Sequence, residues 1–588
     1  MTHPDKRHHR ESDWKRRDFM AAAMLFMATA AVVLWQNAHL VVLWDLSYVL
    51  DSAVRMAQGQ MPYRDFPFAH APLTFLIQAA MIRLTGRVFF HHVLYCALVG
   101  GLGTMLAWRI VLSTLLGAWW ISLLLAAPLC VLGIYCILPH PSYDCDCAFS
   151  ILVAVWLLQR LDRDSTGESS ARHARMLWRS FAAGGAVVLP IFFKQNIGLV
   201  FLAAVVAAFS MLLGVRFLSR RPASEADPGT PVLLSALGGV ATALAAVVLL
   251  LHFAVGVRNY IHWTIGFAAQ RRLPGLQQMI GVYRESALLW MLPCVAVGLA
   301  LWQSRLGKAT WAQALALGLL AAPFLWTVAS LLVYDDADER GDSLLALWPL
   351  LLILSAALTL YNLRRGLSLR ALLPAVVLLT INGTLLSQQL WGSTYAIWPL
   401  LILLVAEMIL VLDETSGEAG RSGYAPVMVV VIAGTLLVCG GFYTASEERL
   451  SYAQFLEGPV VHATFPQLAG MATPGPFLPN FEELLRFADA HIPVSDGLIL
   501  IPGEDPFYFA TGRVPQFPVL LFDPATDPYS PDEVAEQVRA HGIRWLIVKR
   551  ELQIKEDPTP QREALMKELP AEFVLDIRLQ GYDVYRRR

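Results

Sequence analysis

Apolar stretches of about 20 residues recur through roughly the first 440 positions of this chain, with short polar connections between them. A helix rises about 1.5 Å per residue, so about 20 such residues cover the roughly 30 Å hydrocarbon core of a bilayer. No soluble architecture needs so many stretches of that length. Only 15% of the 588 residues are charged, against about a quarter in soluble domains. The mean hydropathy is +0.52. The expected fold is a polytopic α-helical membrane protein. With a net charge of -1 and no basic patch interleaved with aromatics, nucleic acid is not an expected partner. Seven cysteines, an odd count scattered through apolar segments, do not make a disulfide framework. Cys145-Asp146-Cys147 is too short for an easy bridge and lacks partners for zinc, so it reads as structural.

Spans follow from apolar length, and sidedness from the Lys/Arg bias of the connections. Lys15-Arg16-Arg17-Asp18-Phe19-Met20 looks like a twin-arginine export signal, but the apolar run behind it continues to about Leu43. That is too long for the core of a cleaved signal, so a retained first span is expected, with the basic N-terminus in the cytoplasm. The stretch 72–86 carries Gln78 and Arg83 and suits an interfacial helix better than a span. Later spans are expected at 90–111, 117–138, 147–161, 180–194, 197–216, 231–254, 286–303, 312–333, 343–362, 371–390, 396–412 and 425–442. This makes about thirteen with the first, and it puts the basic connections near Arg160–Arg179, Arg216–Arg221, Arg305–Lys308 and Arg364–Arg370 on one, cytoplasmic, side.

The opposite, extracytoplasmic side then collects the polar segments. The first loop holds Asp45, Tyr48, Asp51, Arg55, Tyr63, Arg64, Asp65 and His70. Others are His140–Asp146, Lys194-Gln195-Asn196, Arg258–Arg284, Tyr334–Asp342 and Gln388–Tyr395. Ionisable groups at a membrane edge are costly and point to function. Acidic, basic and aromatic groups on one face suit an amphiphilic substrate, whereas a transport path wants ionisable groups near mid-membrane. Lys194, Arg271 and Arg272 are the cations on that face able to bind a phosphate. Asp51 reads as structural or as a partner of Arg55 at i+4.

Composition changes at about Ala445. Residues 445–588 read as a small extracytoplasmic α/β domain, with helices at 480–490 and 532–540, strands at 497–502 and 545–548, and a hairpin at 573–577 and 582–585. No glycine-rich phosphate fingerprint is present. Gly503–Pro506 reads as an acidic turn or a sugar contact. The chain thus divides into a basic N-terminus (1–18), a membrane part (19–444, with its first outer loop at 45–89) and the tail (445–588).

One wording sharpens this. Asp45 just past the first span, Tyr48 and Ala53 in a following helix, Gly59, then Pro62-Tyr63-Arg64-Asp65-Phe66 and His70-Ala71-Pro72-Leu73 resemble the first loop of the GT-C membrane glycosyltransferases. The likeness is to bacterial relatives of the protein O-mannosyltransferases and the aminoarabinose transferase of lipid A. Tyr143-Asp144 and Lys194-Gln195 are similar too, and His-Ala-Pro-Leu stands where His/Lys-Pro-Pro-Leu is commoner. The resemblance implies an inverting transfer of a sugar from a polyprenyl-phosphate donor to a hydroxyl of a lipid, polysaccharide or protein acceptor, at the outer face of a bacterial inner membrane. It implies Asp45 as the catalytic base, with Tyr48, Asp65, His70 and Asp144 binding substrate and Lys194, Arg271 and Arg272 facing the phosphate. A divalent cation at Asp144 is left open, since no compact ligand spacing stands out. Two alternatives accompany this reading: an Asp45 that merely caps the next helix, and a flippase of lipid-linked sugars that does no chemistry.

Overall fold

The computed structural model describes residues 14–161, 170–219, 228–272, 274–304, 309–386, 395–418, 424–456, 458–523, 526–555, 559–569 and 572–588. Among them, nine helices are long and apolar enough to cross a membrane. The chain is a multi-pass membrane protein. The predicted spans 117–138, 147–161, 286–303 and 396–412 fall on helices outside those nine: Trp119–Leu132, broken near Pro128; Tyr143–Leu161; Leu288–Gln303; and Trp398–Glu418. Of the basic connections used for sidedness, residues 162–169, 220–227 and 305–308 lie outside the described residues.

Small residues let the membrane helices approach closely, as expected where lipid offers no hydrophobic drive for helix pairing. In the contact of helices Ser170–Val188 and Thr230–Ala254, a Cβ on Gly184 would lie 1.8 Å from the Ala236 carbonyl oxygen. One on Gly239 would lie 2.0 Å from that of Phe181.

The first helix, α1, runs Arg16–Asn37 and stops short of the predicted Leu43. Its last two residues explain the stop. Gln36 donates to the Thr444 carbonyl and Asn37 to that of Pro139, so polar side chains end the apolar run inside the protein. After five intervening residues a new helix, α2, begins at Leu43 and continues to Ala57. Asp45 therefore lies in the first turn of α2, not in a loop beyond a span. The interfacial stretch forms α3, Leu73–Thr85. Its 13 residues cover only about 20 Å at 1.5 Å each, too short for hydrocarbon. Then α4, Phe89–Thr114, packs against α1.

In the tail, β1 (Val460–His462) and β2 (Ala472–Pro474) form a small ribbon. Helix Phe477–His491 follows, then β3 (Gly497–Ile501), helix Pro531–Ala540, β4 (Ile543–Lys549), β5 (Phe573–Arg578) and β6 (Tyr582–Arg587). The sheet order is β3-β4-β6-β5. Strands β3 and β4 are parallel, with Ile499 opposite Leu546, and the other pairs are antiparallel. A parallel pair needs a crossover, and helix Pro531–Ala540, capped by Ser530 and Glu533, supplies it. Ile499, Ile501, Val534, Val538, Leu546 and Val548 fill the core beneath. The elements expected from periodicity are all present.

The tail grips α2 along its length. Gln553 accepts from the Leu43 amide at 2.8 Å and donates to the Val41 carbonyl at 3.0 Å. Ser47 donates to the Gly503 carbonyl. Asp51 accepts from the amides of Tyr508 (3.2 Å) and Phe509 (2.7 Å). Arg55 donates to the Pro518 carbonyl at 2.7 Å, so its partner is the tail and Gln60, not Asp51. Burial raises the Asp51 carboxyl well above its ordinary range, against the pull of the Phe509 and Tyr508 amides. Truncation leaves those two buried amides without an acceptor. Asp51→Ala is expected to lower stability by about 1–3 kcal/mol, read as the unfolding midpoint in detergent. An unchanged midpoint would remove Asp51 as a clamp.

The Gly503–Pro506 segment is neither an open acidic turn nor an exposed sugar contact. Glu504 and Asp505 are buried. Both pair with Lys549 at 2.7 Å, and Tyr582 donates to Asp505 at 2.8 Å. Glu504 also accepts from the Gln553 and Ile554 amides at 2.6 and 3.0 Å.

Candidate active site

Asp45 is the third residue of α2 after the N-cap Val42, whose own side chain makes no capping bond. A carboxylate in a first turn is favoured by the helix dipole, yet Asp45 does not spend its oxygens on the helix. One of them accepts from the Tyr452 hydroxyl. The same oxygen, Oδ2, lies 3.7 Å from His140 Nε2. The Asp45 side chain is 33% exposed while that of His140 is fully buried. The candidate base is thus held from one side and open on another.

Tyr452 and Tyr395 wall this carboxylate. Burial first, then the charge of Asp45, raises both phenols well above their ordinary pKa. Both hydroxyls stay protonated as donors. Tyr395 also feels the charge of Asp144, part of the second polar group of this face. Arg449, buried at the start of the tail, donates to the Ile137 carbonyl. Burial lowers its pKa to about 10, so it remains a cation at neutral pH.

The second group is built from three separate segments. Helix Tyr143–Leu161 opens with Tyr143 and Asp144. Lys194 occupies the extended residue that ends the short helix Pro190–Phe193, and this break in the helical path turns its side chain to Asp144. The ammonium donates to Asp144 and lies 5.3 Å from the centre of the Tyr143 ring. The His70 ring packs tilted against that of Tyr143, centroids 4.7 Å apart, and bonds the Tyr48 hydroxyl. Gln195 donates to the Ala69 carbonyl at 2.9 Å. Tyr48, His70, Asp144 and Lys194 therefore form one network.

Asp65 does not join it. It closes its own turn through Arg64 (2.8 Å) and the Met61 amide (2.7 Å), and Arg64 holds its carboxyl below the usual range. It lines, with Arg55, Gln60, Gln516 and His541, an open cleft of about 450 Å³ between the first loop and the tail. Arg55 stands ten residues from Asp45 along α2, about 15 Å at 1.5 Å per residue. For Arg271 and Arg272 only the helical backbone Ala268–Arg272 is described, and their side chains lie outside the described residues. So do residues 387–394 of the expected outer segment before Tyr395.

Among the described residues, no group of three or more His, Cys, Asp or Glu side chains is placed to hold a metal. Asp144, the one candidate ligand, carries the Lys194 ammonium. A divalent cation there would have to displace a lysine, so this donor set does not suit it. Asp146, the neighbouring carboxylate, accepts three hydroxyls at 2.7 Å, from Thr74, Tyr95 and Tyr135, which knot α3, α4 and helix Tyr143–Leu161 together. All seven cysteines are free.

Sequence reasoning did not single out Tyr452 or Arg449, and it placed His140 and Tyr395 in outer polar segments without giving either a role. Tyr452 lies 407 positions from Asp45, a pairing with no local signal. Only an ionisable residue hard against apolar sequence, as at His140, gives any hint.

Comparison with solved structures finds similar chains at low identity. The archaeal oligosaccharyltransferase AglB from Archaeoglobus fulgidus, in complex with an inhibitory peptide and a dolichol-phosphate, is 10% identical. That match covers 98% of this chain and 75% of the other, with a TM-score of 0.47. ArnT from Cupriavidus metallidurans bound to undecaprenyl phosphate is 14% identical over 96% of this chain and 97% of its own, with a TM-score of 0.43. Its apo state gives 15% identity, 96% and 98% coverage, and 0.45. No family model and no curated protein matches the chain.

Proposed function

We propose that the protein is an inverting glycosyltransferase that moves a sugar from a polyprenyl-phosphate carrier to an acceptor hydroxyl, at the extracytoplasmic face of a bacterial inner membrane. The observation that supports this best is the Asp45 carboxylate, fixed by Tyr452 yet one-third open, beside a buried Lys194–Asp144 pair. A general base has to lie within hydrogen-bond reach of the proton it takes. On this reading the acceptor oxygen attacks the anomeric carbon as its proton passes to Asp45. The bond from that carbon to the phosphate oxygen breaks with its electron pair, leaving polyprenyl phosphate. Lys194 faces the phosphate, and Asp144 is its counter-ion when no lipid is bound. Tyr48 and His70 brace that pair through Tyr143 and bind the sugar. The cleft at Asp65 receives the rest of the acceptor. The N-terminus lies in the cytoplasm and the tail outside.

The deciding experiment uses purified protein in detergent, where no compartments exist. It is given polyprenyl-phosphate pentoses and hexoses labelled in the sugar, with envelope lipid and polysaccharide extracts as acceptors. Label transferred with release of polyprenyl phosphate is the expected result. A flippase would bind the donor and return it covalently unchanged, and that outcome would end the transferase reading.

A further inference from the structure

His140 is fully buried, and neither of its ring nitrogens has a hydrogen-bond partner among the described residues. Buried polar atoms left in that state are costly and rare, so each calls for a reason. The backbone on the N-terminal side of His140 is not free to drift. The Ile137 carbonyl is held by Arg449 and the Pro139 carbonyl by Asn37, and prolines 139 and 141 flank the residue with φ fixed by their rings. Three separate elements, α1, the 137–141 segment and the tail, thus aim one imidazole. Its Nε2 lies 3.7 Å from Asp45 Oδ2, just beyond hydrogen-bond range, and Asp45 is the partly exposed partner able to turn.

We propose that His140 is a positioning residue for Asp45. Resting on the transferase reading above, its role is to donate Nε2–H to Oδ2 when the carboxylate turns onto the incoming acceptor. Oδ2 is then held from two sides, by Tyr452 and His140. Oδ1 is left with a lone pair directed at the acceptor hydroxyl and takes its proton. His140 forms no bond to substrate. Two donors on one oxygen fix the carboxylate rotamer, and a misplaced base costs rate without weakening binding.

Phenylalanine fills the ring's space without a donor, whereas glutamine keeps an amide donor near the Nε2 position. The test compares His140→Phe, His140→Gln and Asp45→Asn with wild type, purified in detergent. Release of polyprenyl phosphate from the donor that wild type turns over gives kcat and KM, and an unfolding midpoint is taken for each. His140→Phe is expected to lose about 10²-fold in kcat with KM and midpoint near wild type. His140→Gln is expected to recover to within about tenfold. A His140→Phe enzyme at wild-type kcat beside an inactive Asp45→Asn would overturn the assignment and leave the transferase reading intact. Equal loss in the Phe and Gln variants, with lowered midpoints in both, would overturn it as merely structural. Wild-type turnover by Asp45→Asn would remove the reading on which it rests.

Discussion

Asp45→Asn is expected to abolish sugar transfer while the protein stays folded. The amide has the size of the carboxylate, keeps an oxygen for the Tyr452 hydroxyl, and sits at a partly exposed position. It lacks only the basicity that removes the acceptor's proton. Losing a positioned general base lowers rates by about 10²–10⁴-fold, so kcat in the detergent assay should fall by that factor. The midpoint should move little, since the first-turn charge of a helix contributes only about 0.3–1 kcal/mol. A variant that turns over at the wild-type rate would take Asp45 out of the chemistry. A large fall in midpoint would make the carboxylate a fold element instead.

The second large effect lies in the tail. Lys549→Met is expected to destabilise the tail by about 3–5 kcal/mol, because it strands the carboxylates of Glu504 and Asp505 in a buried site. Its consequences should reach Asp45. Glu504 orients the Gln553 amide, and the Gln553 side chain caps the first turn of α2. The expected outcome is lost transfer at temperatures where circular dichroism still shows the membrane helices intact. Burial opposes charge on Lys549, but Asp505 and Glu504 outweigh it and hold its pKa above the ordinary lysine value. The stabilisation from this ammonium is therefore complete below about pH 10.5 and is lost as pH rises through the higher folded-state value. A Lys549→Met protein with unchanged midpoint and turnover would show the cluster to be dispensable. By the same logic, deleting 445–588 should abolish transfer, since it removes Tyr452 and Gln553 together. A truncated protein that still transfers sugar would show that the tail serves recognition or stability.

The membrane helices and the tail's strands were readable because each is written in a local period. Apolar runs set the spans, and short apolar runs between turn residues set β3 and β4. The short helix α3 was readable from its length and its polar residues. The end of α1 was not, because Gln36 and Asn37 stop it by bonding carbonyls at 444 and 139, which no local window contains. The partners of Asp51 and Glu504 were hidden for the same reason. Asp51 read as structural or as a partner of Arg55 and Glu504 as part of an acidic turn or sugar contact, yet one receives the amides of a segment over 450 positions away and the other a buried lysine.

By itself the sequence determined a multi-pass helical body, a small α/β tail and a first loop rich in ionisable groups, because hydrophobic length and alternation act over neighbouring residues. It also singled out Asp45, Asp144 and Lys194 as the groups to watch. Only the tertiary structure decided that Lys194 finds Asp144, that Tyr452 holds Asp45, and that Asp65 serves its own turn. Those choices depend on which distant segments meet, and hydrogen bonds and ion pairs form between whatever the packed helices bring together.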